Sequence, residues 1–377
     1  MTNPIGLYLH IPFCRQRCDF CAFYLELYRE GAAESFLHAM RTEIRLHAEQ
    51  AGIKGRPFQS VYFGGGTPTA LRASQLLEIL ADIRRHLLLT PNCEITVEAH
   101  PSTVTQSDLS ILYEAGVNRI SFGAESMQDG ELVRIGRPAL ARETMAAVHW
   151  ARDAGFSNIN LDLMYGLPDQ TNQSWTSTLG QCLELAPAHL SCYALTVEEG
   201  TRLAHDIRHG RRQGPDESIQ IAMEQTTRTV LNEAGYQQYE ISNYAKPDFA
   251  CRHNLLYWTQ GEYLGLGPSA QSFVHGVRFG NVANLAAYQA ALAEETLPVR
   301  EQTELTEGEQ LRDAVIFGLR LIQGIPTQQL RAHALNYGHA ATLEALREQQ
   351  LIEEEGERSR LSAQGRLHAD TVADKLY

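Results

Sequence analysis

Through the first half of the chain, short apolar runs rich in β-branched and aromatic residues alternate with longer stretches whose apolar positions recur at helical spacing. The strand-like runs are GLYLHI from Gly6, SVYFGGG from Ser60, EITVEAH from Glu94, RISFGAES from Arg119, NINLDLMYG from Asn158 and HLSCYAL from His189. Amphipathic segments such as AESFLHAMRTEIRLHAE and SQLLEILADIRRHLL lie between them. Such βα repeats predict an α/β fold, a parallel sheet with helices outside it. Right-handed crossovers curl a sheet of this kind into a barrel or part of one.

After about residue 215 the pattern changes. A helix is predicted through SIQIAMEQTTRTVLNEAG, followed by the aromatic segment YQQYEISNYAKPDFACRHNLLYW. The glycine-punctuated stretch GEYLGLGPSAQSFVHGVRFGN then reads as a loop and a short hairpin. The end of the chain reads as a small helical unit closed by a wing-like segment, LIEEEGERSRLSAQG, which divides the whole into residues 1–215, 216–300 and 301–377. A winged helix raises DNA binding, but residues 305–377 hold eight Lys/Arg against eleven Asp/Glu, a net charge of −3. A structural or partner-docking appendage is expected instead.

Of the 377 residues, 44% are hydrophobic and 20% charged, ordinary for a globular protein. No uninterrupted apolar run approaches the ~20 residues of a membrane span. The opening MTNPIGLYLHIPFC has neither a charged n-region nor a small-residue cleavage site, so a cytoplasmic location is expected. Peripheral membrane contact and homodimerisation stay open. A formal charge of −13 argues against nucleic acid as a partner.

Three of the seven cysteines, Cys14, Cys18 and Cys21, crowd into one short segment, CRQRCDFC. A disulfide framework pairs its cysteines evenly in a short secreted chain, so reduced thiols serving a metal fit better. Cys93, Cys182, Cys192 and Cys251 are scattered and read as small buried apolar residues. Cysteines spaced by three and then two residues can wrap one iron–sulfur cube from a single loop, with Arg15 and Arg17 helping to keep the thiols ionised. A [4Fe–4S] cube normally takes four thiolates. Three leave one iron open to chelate the amino and carboxylate groups of S-adenosylmethionine (SAM) and reduce its sulfonium, giving a 5′-deoxyadenosyl radical. The competing reading is a Cys₃His zinc site with His10 as fourth ligand. Other candidates fall at the ends of predicted strands, where βα proteins build their sites: Gly64 to Pro68, Glu98 and Asp162. Turn punctuation accounts for the glycines but not for the acids.

HIPFC followed by this cysteine spacing resembles the radical SAM superfamily, and within it the group around oxygen-independent coproporphyrinogen III oxidase; the likeness covers nearly the whole chain. It implies a (βα)6 partial TIM barrel with a small C-terminal helical, winged-helix-like domain, and a [4Fe–4S] cluster on Cys14, Cys18 and Cys21. GGGTP, with Gly65, Gly66 and Thr67, matches the group's loop for the methionyl amine of SAM, where glycine lets the backbone come close to the ligand. Glu98, in VEAHP, matches the carboxylate that binds the SAM ribose. Tyr8, Phe20, Glu125, Arg137 and Asp162 stand at positions that contact SAM in the family. Glu125 replaces the usual Gln, and its charge is expected to weaken or retune nucleotide binding; Gln271 stands where many relatives carry His.

The oxidase pattern has a further cysteine two residues after the third, a position held here by Phe23, and a longer N-terminal segment, which is not expected here. Both departures are shared with the HemW-type heme chaperones, which bind heme and deliver it to acceptor proteins. The HNxxYW segment, His253-Asn254 with Tyr257-Trp258, resembles that branch's signature. Histidine is the commonest protein ligand to heme iron, and Tyr and Trp offer flat apolar contacts. From the residues alone, the same segment is a packed aromatic corner with His253 hydrogen-bonded inside it. The resemblance therefore implies heme alongside SAM and the cluster, apo-hemoprotein acceptors, an electron donor of the flavodoxin or ferredoxin type, and no oxidation of coproporphyrinogen. The alternatives are the oxidase itself and a HemN-like branch of methyltransferases that uses two SAM molecules on natural products.

Overall fold

A computed structural model describes residues 4–377. The six runs form parallel strands β1 (Ile5–Ile11), β2 (Pro57–Gly65), β3 (Leu88–Ala99), β4 (Arg119–Glu125), β5 (Asn158–Tyr165) and β6 (His189–Ala194), each hydrogen-bonded to the next in sequence order. Helices α1 (Glu30–Glu49), α2 (Ala73–His86), α3 (Gln106–Glu114), α4 (Ala141–Ala154) and α5 (Asn172–Glu184) cross between them. The architecture is thus the expected α/β one, a parallel sheet with crossing helices.

The strands obey a strict two-residue period. Ile5, Leu7, Leu9 and Ile11 on β1, Val61 and Phe63 on β2, Ile95 and Val97 on β3, Ile120 and Phe122 on β4, Ile159 and Leu161 on β5, and Leu190 on β6 all enter one apolar core with the helices. The alternate positions, among them Tyr8, Tyr62, Glu98, Arg119, Asn160, Asp162 and Tyr193, line a single cavity. Strands buried on both faces usually read as continuous apolar runs. Here one face is polar because it encloses space, and only a sheet curled inward can bring all six strands to one cavity.

Beyond β6, α6 (Glu217–Glu233) is held by Trp175 of α5, whose buried Nε1 donates to Thr227 Oγ1 at 2.9 Å. Strand β7 (Asn243–Ala245) pairs antiparallel with β6. The aromatic segment, for which the sequence assigned no element, contains a helix, α7 (Arg252–Trp258). The glycine-rich stretch supplies more than a hairpin: β8 (Tyr263–Leu266) lies parallel beside β1, and β9 (Gln271–Val274), β10 (Val277–Asn281) and β11 (Val299–Glu304) continue the sheet antiparallel. Its glycines reflect crowding rather than a loop. A Cβ on Gly265 would lie 2.1 Å from the Gln271 carbonyl oxygen.

The C-terminal unit has its own core, including Val315, Leu330, Leu346, Leu361 and Val372, under a three-stranded sheet of Ile325–Pro326, Arg358–Leu361 and Ile352–Glu355. On the wing, Arg360 is paired with Glu353 and Glu355. Among the described residues no helix is long and apolar enough to cross a membrane.

One buried carboxylate joins the added strands to the barrel. Glu43 of α1 is fully buried and accepts from Gly267 N (2.8 Å), Asn281 Nδ2 (2.6 Å) and Tyr288 OH (2.6 Å). Among the described residues no cation is paired with it, and burial, only partly offset by those donors, lifts its pKa from 4.5 to about 7. Between these values the unfolded chain releases the proton first, so this group's stabilisation is complete below about pH 4.5 and is lost as pH rises toward 7. Glu43→Gln should abolish that slope in urea unfolding of the apo chain, and Glu43→Ala should cost about 1–3 kcal/mol for each donor left unsatisfied. A constant offset between wild type and Glu43→Gln from about pH 5 to 8 would contradict this role.

Candidate cluster and nucleotide site

A cavity of about 680 Å³ gathers residues from all six barrel strands. Tyr8, Cys14, Cys18, Phe20, Cys21, Gly65, Gly66, Thr67, Glu98, Glu125, Arg137, Asp162 and His253 all line it. Gln271 does not; it is exposed on β9, so that departure leaves the cavity untouched.

The cysteine loop leaves β1 and is tied down on several sides. Asp19 N donates to Ile135 O at 3.0 Å, Tyr28 N to Cys14 O at 2.9 Å, and Leu203 N to Asp19 O at 2.8 Å. The buried Asp19 carboxylate accepts from Arg212 Nη2 at 2.8 Å. Against the loop lies the glycine turn: Gly66 N donates to Ile11 O (2.9 Å) and Thr67 N to Phe13 O (2.7 Å), and Thr67 Oγ1 is 3.4 Å from Cys14 Sγ. A Cβ on Gly66 would stand 2.8 Å from Phe13 O and 3.1 Å from Cys14 Sγ. Gly65 has φ +108°, and a Cβ there would meet His10 Nδ1 at 2.8 Å. Both glycines are demanded by this close approach.

The donor set suits a cluster better than zinc. His10, the proposed fourth zinc ligand, is buried with Nε2 3.0 Å from the Tyr24 carbonyl and Nδ1 3.3 Å from Tyr8 OH. Among the described residues no three His, Cys, Asp or Glu side chains gather around the position of a single ion. Three thiolates on one zinc stand only about 3.8 Å apart, whereas those on separate irons of a cube stand wider. The thiols are nevertheless near enough for Cys18 and Cys21 to raise the pKa of Cys14, after burial, the larger cause.

The cation serving the thiols is not the one expected. Arg15 and Arg17 are exposed. Instead Arg137, over a hundred residues further on, places Nη1 3.4 Å from Cys18 Sγ. Burial raises the Cys18 pKa and Arg137 opposes it. The same guanidinium reaches Glu125 Oε1 at 3.5 Å and the Gly123 carbonyl. Glu125 therefore brings no free negative charge; it balances a buried arginine. It sits at a register shift between β4 and β5 with φ +62°, a bulge that turns its side chain into the cavity.

Glu98 accepts from Tyr62 OH at 2.8 Å, and burial, then Asp162, pushes its pKa up to about 7. Asp162 accepts from Ser121 Oγ (2.9 Å) and Asn160 Nδ2 (2.8 Å). At the cavity's other end His253 is an aromatic-corner residue: Nδ1 is 2.9 Å from Ser60 Oγ, Nε2 is 2.9 Å from Tyr257 OH, and Tyr62 stacks on the ring at 5.1 Å. Burial and then Arg119 lower its pKa to about 3, so the ring is neutral.

Sequence reasoning missed Tyr62, His100, Arg119, Asn160 and Tyr193, all on the cavity wall. The signal was present in the two-residue period, because each except His100 is an inward position of a strand already recognised.

The Arg137 contact predicts that Arg137→Met raises the Cys18 thiol pKa further and slows its alkylation by iodoacetamide in the apo chain near neutral pH, read by mass spectrometry. An unchanged rate at Cys18 would show that the guanidinium does not act on it.

Residues 8–182 match the Radical SAM superfamily and residues 305–368 the HemN C-terminal domain. The chain is 34% identical to a Mycobacterium tuberculosis protein named heme chaperone HemW, over 99% of this chain and 95% of the other. It is 33% identical to a Bacillus subtilis protein of that name over 97% of each, and 38% identical to one from Escherichia coli K12 over 72% and 70%. Among solved structures, E. coli coproporphyrinogen III oxidase (HemN), described as a radical SAM enzyme, superposes with a TM-score of 0.86 at 25% identity, over 99% of this chain and 90% of that one. With three cysteines facing a glycine turn inside a partial barrel, and with this extent of identity, the chain belongs to the HemW family of the radical SAM superfamily.

Proposed function

We propose that this chain is a heme chaperone, taking up heme and passing it to apo-hemoprotein acceptors, with a [4Fe–4S] cluster on Cys14, Cys18 and Cys21 and SAM beside it. The observation that carries the reading is the meeting of these thiols with Gly65, Gly66, Glu98 and Arg137 in one cavity of a chain whose full-length relatives are named heme chaperones. When bound and reduced, the cluster supplies the electron that cleaves SAM. The chain's own residues do the positioning. Gly65 and Gly66 leave room for the methionyl end, and Glu98, oriented by Tyr62, accepts the ribose hydroxyls. Residues 1–215 serve cluster and nucleotide, 216–300 heme, and 301–377 a docking partner; the electron donor is of the flavodoxin or ferredoxin type.

A neutral imidazole is the form that ligates iron, and His253 is neutral. Tyr257 holds Nε2, so heme ligation there has to displace that hydrogen bond. Oxidation of coproporphyrinogen is the alternative, and Phe23 in place of the oxidase's extra cysteine speaks against it.

Anaerobically reconstituted protein should hold about four irons and four sulfides, and replacing all three cysteines by Ala should abolish its charge-transfer absorption and reduced-state EPR signal. It should bind hemin without decarboxylating coproporphyrinogen III in the presence of SAM and an electron donor. Turnover of coproporphyrinogen with no hemin binding would overturn the chaperone reading.

For the iron ligand, His253→Ala should shift the Soret band of the hemin complex, while Tyr257→Phe should tighten hemin binding by about 1 kcal/mol, roughly fivefold, by removing the competing bond. A spectrum and affinity indifferent to both would remove His253 from the heme site.

A further inference from the structure

Immediately after β3 comes a second histidine at the cavity. His100 is 7% exposed and lines the cavity wall. Its backbone N donates to Thr69 Oγ1 at 3.2 Å, and its carbonyl accepts from Thr103 N (2.9 Å) and Thr103 Oγ1 (2.8 Å). The ring is fixed as well: Nδ1 accepts from Ser102 N at 3.2 Å and lies 2.8 Å from Ser102 Oγ.

These contacts settle where the ring proton is. A backbone N–H only donates, so Nδ1 must be the bare nitrogen and the hydrogen sits on Nε2. Burial, then the guanidiniums of Arg137 and Arg15, push the pKa down to about 3, so this neutral tautomer is the form present near pH 7. Nε2 is buried and meets no acceptor among the described residues. A rigid, desolvated N–H left without an acceptor on a residue of the cavity wall is costly. His100 N reaches Thr69, just past the glycine turn whose Thr67 touches Cys14, so His100 stands at the cluster end of the cavity. The nearby carboxylates are already engaged, Glu98 with Tyr62 and Glu125 with Arg137. A preset, desolvated N–H without an acceptor among the described residues favours an anionic acceptor from outside the chain, where the bond is strongest.

We propose that the Nε2–H of His100 donates a hydrogen bond to the anionic group at the cluster end of the cavity, either a sulfur of the cluster or the carboxylate of SAM. His100 is then a positioning residue: it orients that anion and neither transfers a proton nor ligates iron. The proposal rests on the cluster and SAM reading above.

The test compares reconstituted wild type, His100→Leu and His100→Gln at matched iron content, by midpoint potential without SAM and by SAM affinity from the EPR shift. Hydrogen bonds to cluster sulfurs raise the potential, so a lower potential in His100→Leu with unchanged SAM affinity identifies a sulfur acceptor. A loss of SAM affinity of roughly tenfold or more with unchanged potential identifies the carboxylate. His100→Gln, which keeps a neutral N–H donor, should recover part of either loss. A Leu variant like wild type in both readouts, or a Gln variant as defective as Leu, overturns the proposal. Pulsed EPR of wild type labelled with [15N]histidine gives a reading independent of any variant's folding; a nitrogen coupling to the reduced cluster is expected, and its absence both with and without SAM also overturns the proposal. Wild type that takes up no iron would overturn the cluster reading and this one together, whereas iron and SAM bound beside an indifferent Leu variant would overturn this one alone.

Discussion

The two-residue period of six strands is the constraint from which the rest of the molecule follows. Placing Ile, Leu, Val and Phe on one face commits that face to the helices. The other face is then left with Tyr, Glu, Arg, Asn, Asp and Ser, groups that cannot be buried without partners. The barrel answers with hydrogen bonds across neighbouring strands, Tyr62 to Glu98, Ser121 to Asp162 and His189 to Asn160 at 2.6 Å, and with one along β5, Asn160 to Asp162. Complete (βα)8 barrels fill their interior with bulky branched side chains. Here inward positions such as Gly6, Gly64 and Gly123 make way for the side chains of His253, Glu98 and Arg137, and the interior is a chamber with chemistry on its walls.

That chamber has a definite charge balance. Glu98, Asp162 and Glu125 face it together with Arg119 and Arg137. Arg137 is shared among a thiol, a carboxylate and a carbonyl, so it organises the cluster end without presenting a free cation. The left-handed backbone at Glu125 is the local strain that this arrangement requires, of order 1–3 kcal/mol for a residue without glycine's freedom.

Much of this could be read before any coordinates. All six barrel strands lie where the alternation put them, and the thirteen residues named by the motifs and by the family resemblance line one cavity; the Gly and Cys motifs among them encode close backbone approach directly. What was hidden depends on distance along the chain. Arg15 and Arg17 adjoin the thiols in sequence but point to solvent, while the arginine that reaches Cys18 arrives from residue 137. Strand β8 was masked because glycines required by the crowded Gln271 backbone look like loop punctuation. His253 was legible as a histidine among aromatics, but only packing shows that both its ring nitrogens are engaged.

The bond between Asp19 and Arg212 spans 193 residues. On a ribosome adding about 5–20 residues per second, the cysteine loop therefore emerges roughly 10–40 s before the side chain that clamps it has been synthesised. Until then the loop is held by contacts nearer in the chain, to Tyr28, Thr67 and then Ile135, and its thiols lack the last tie that fixes their segment.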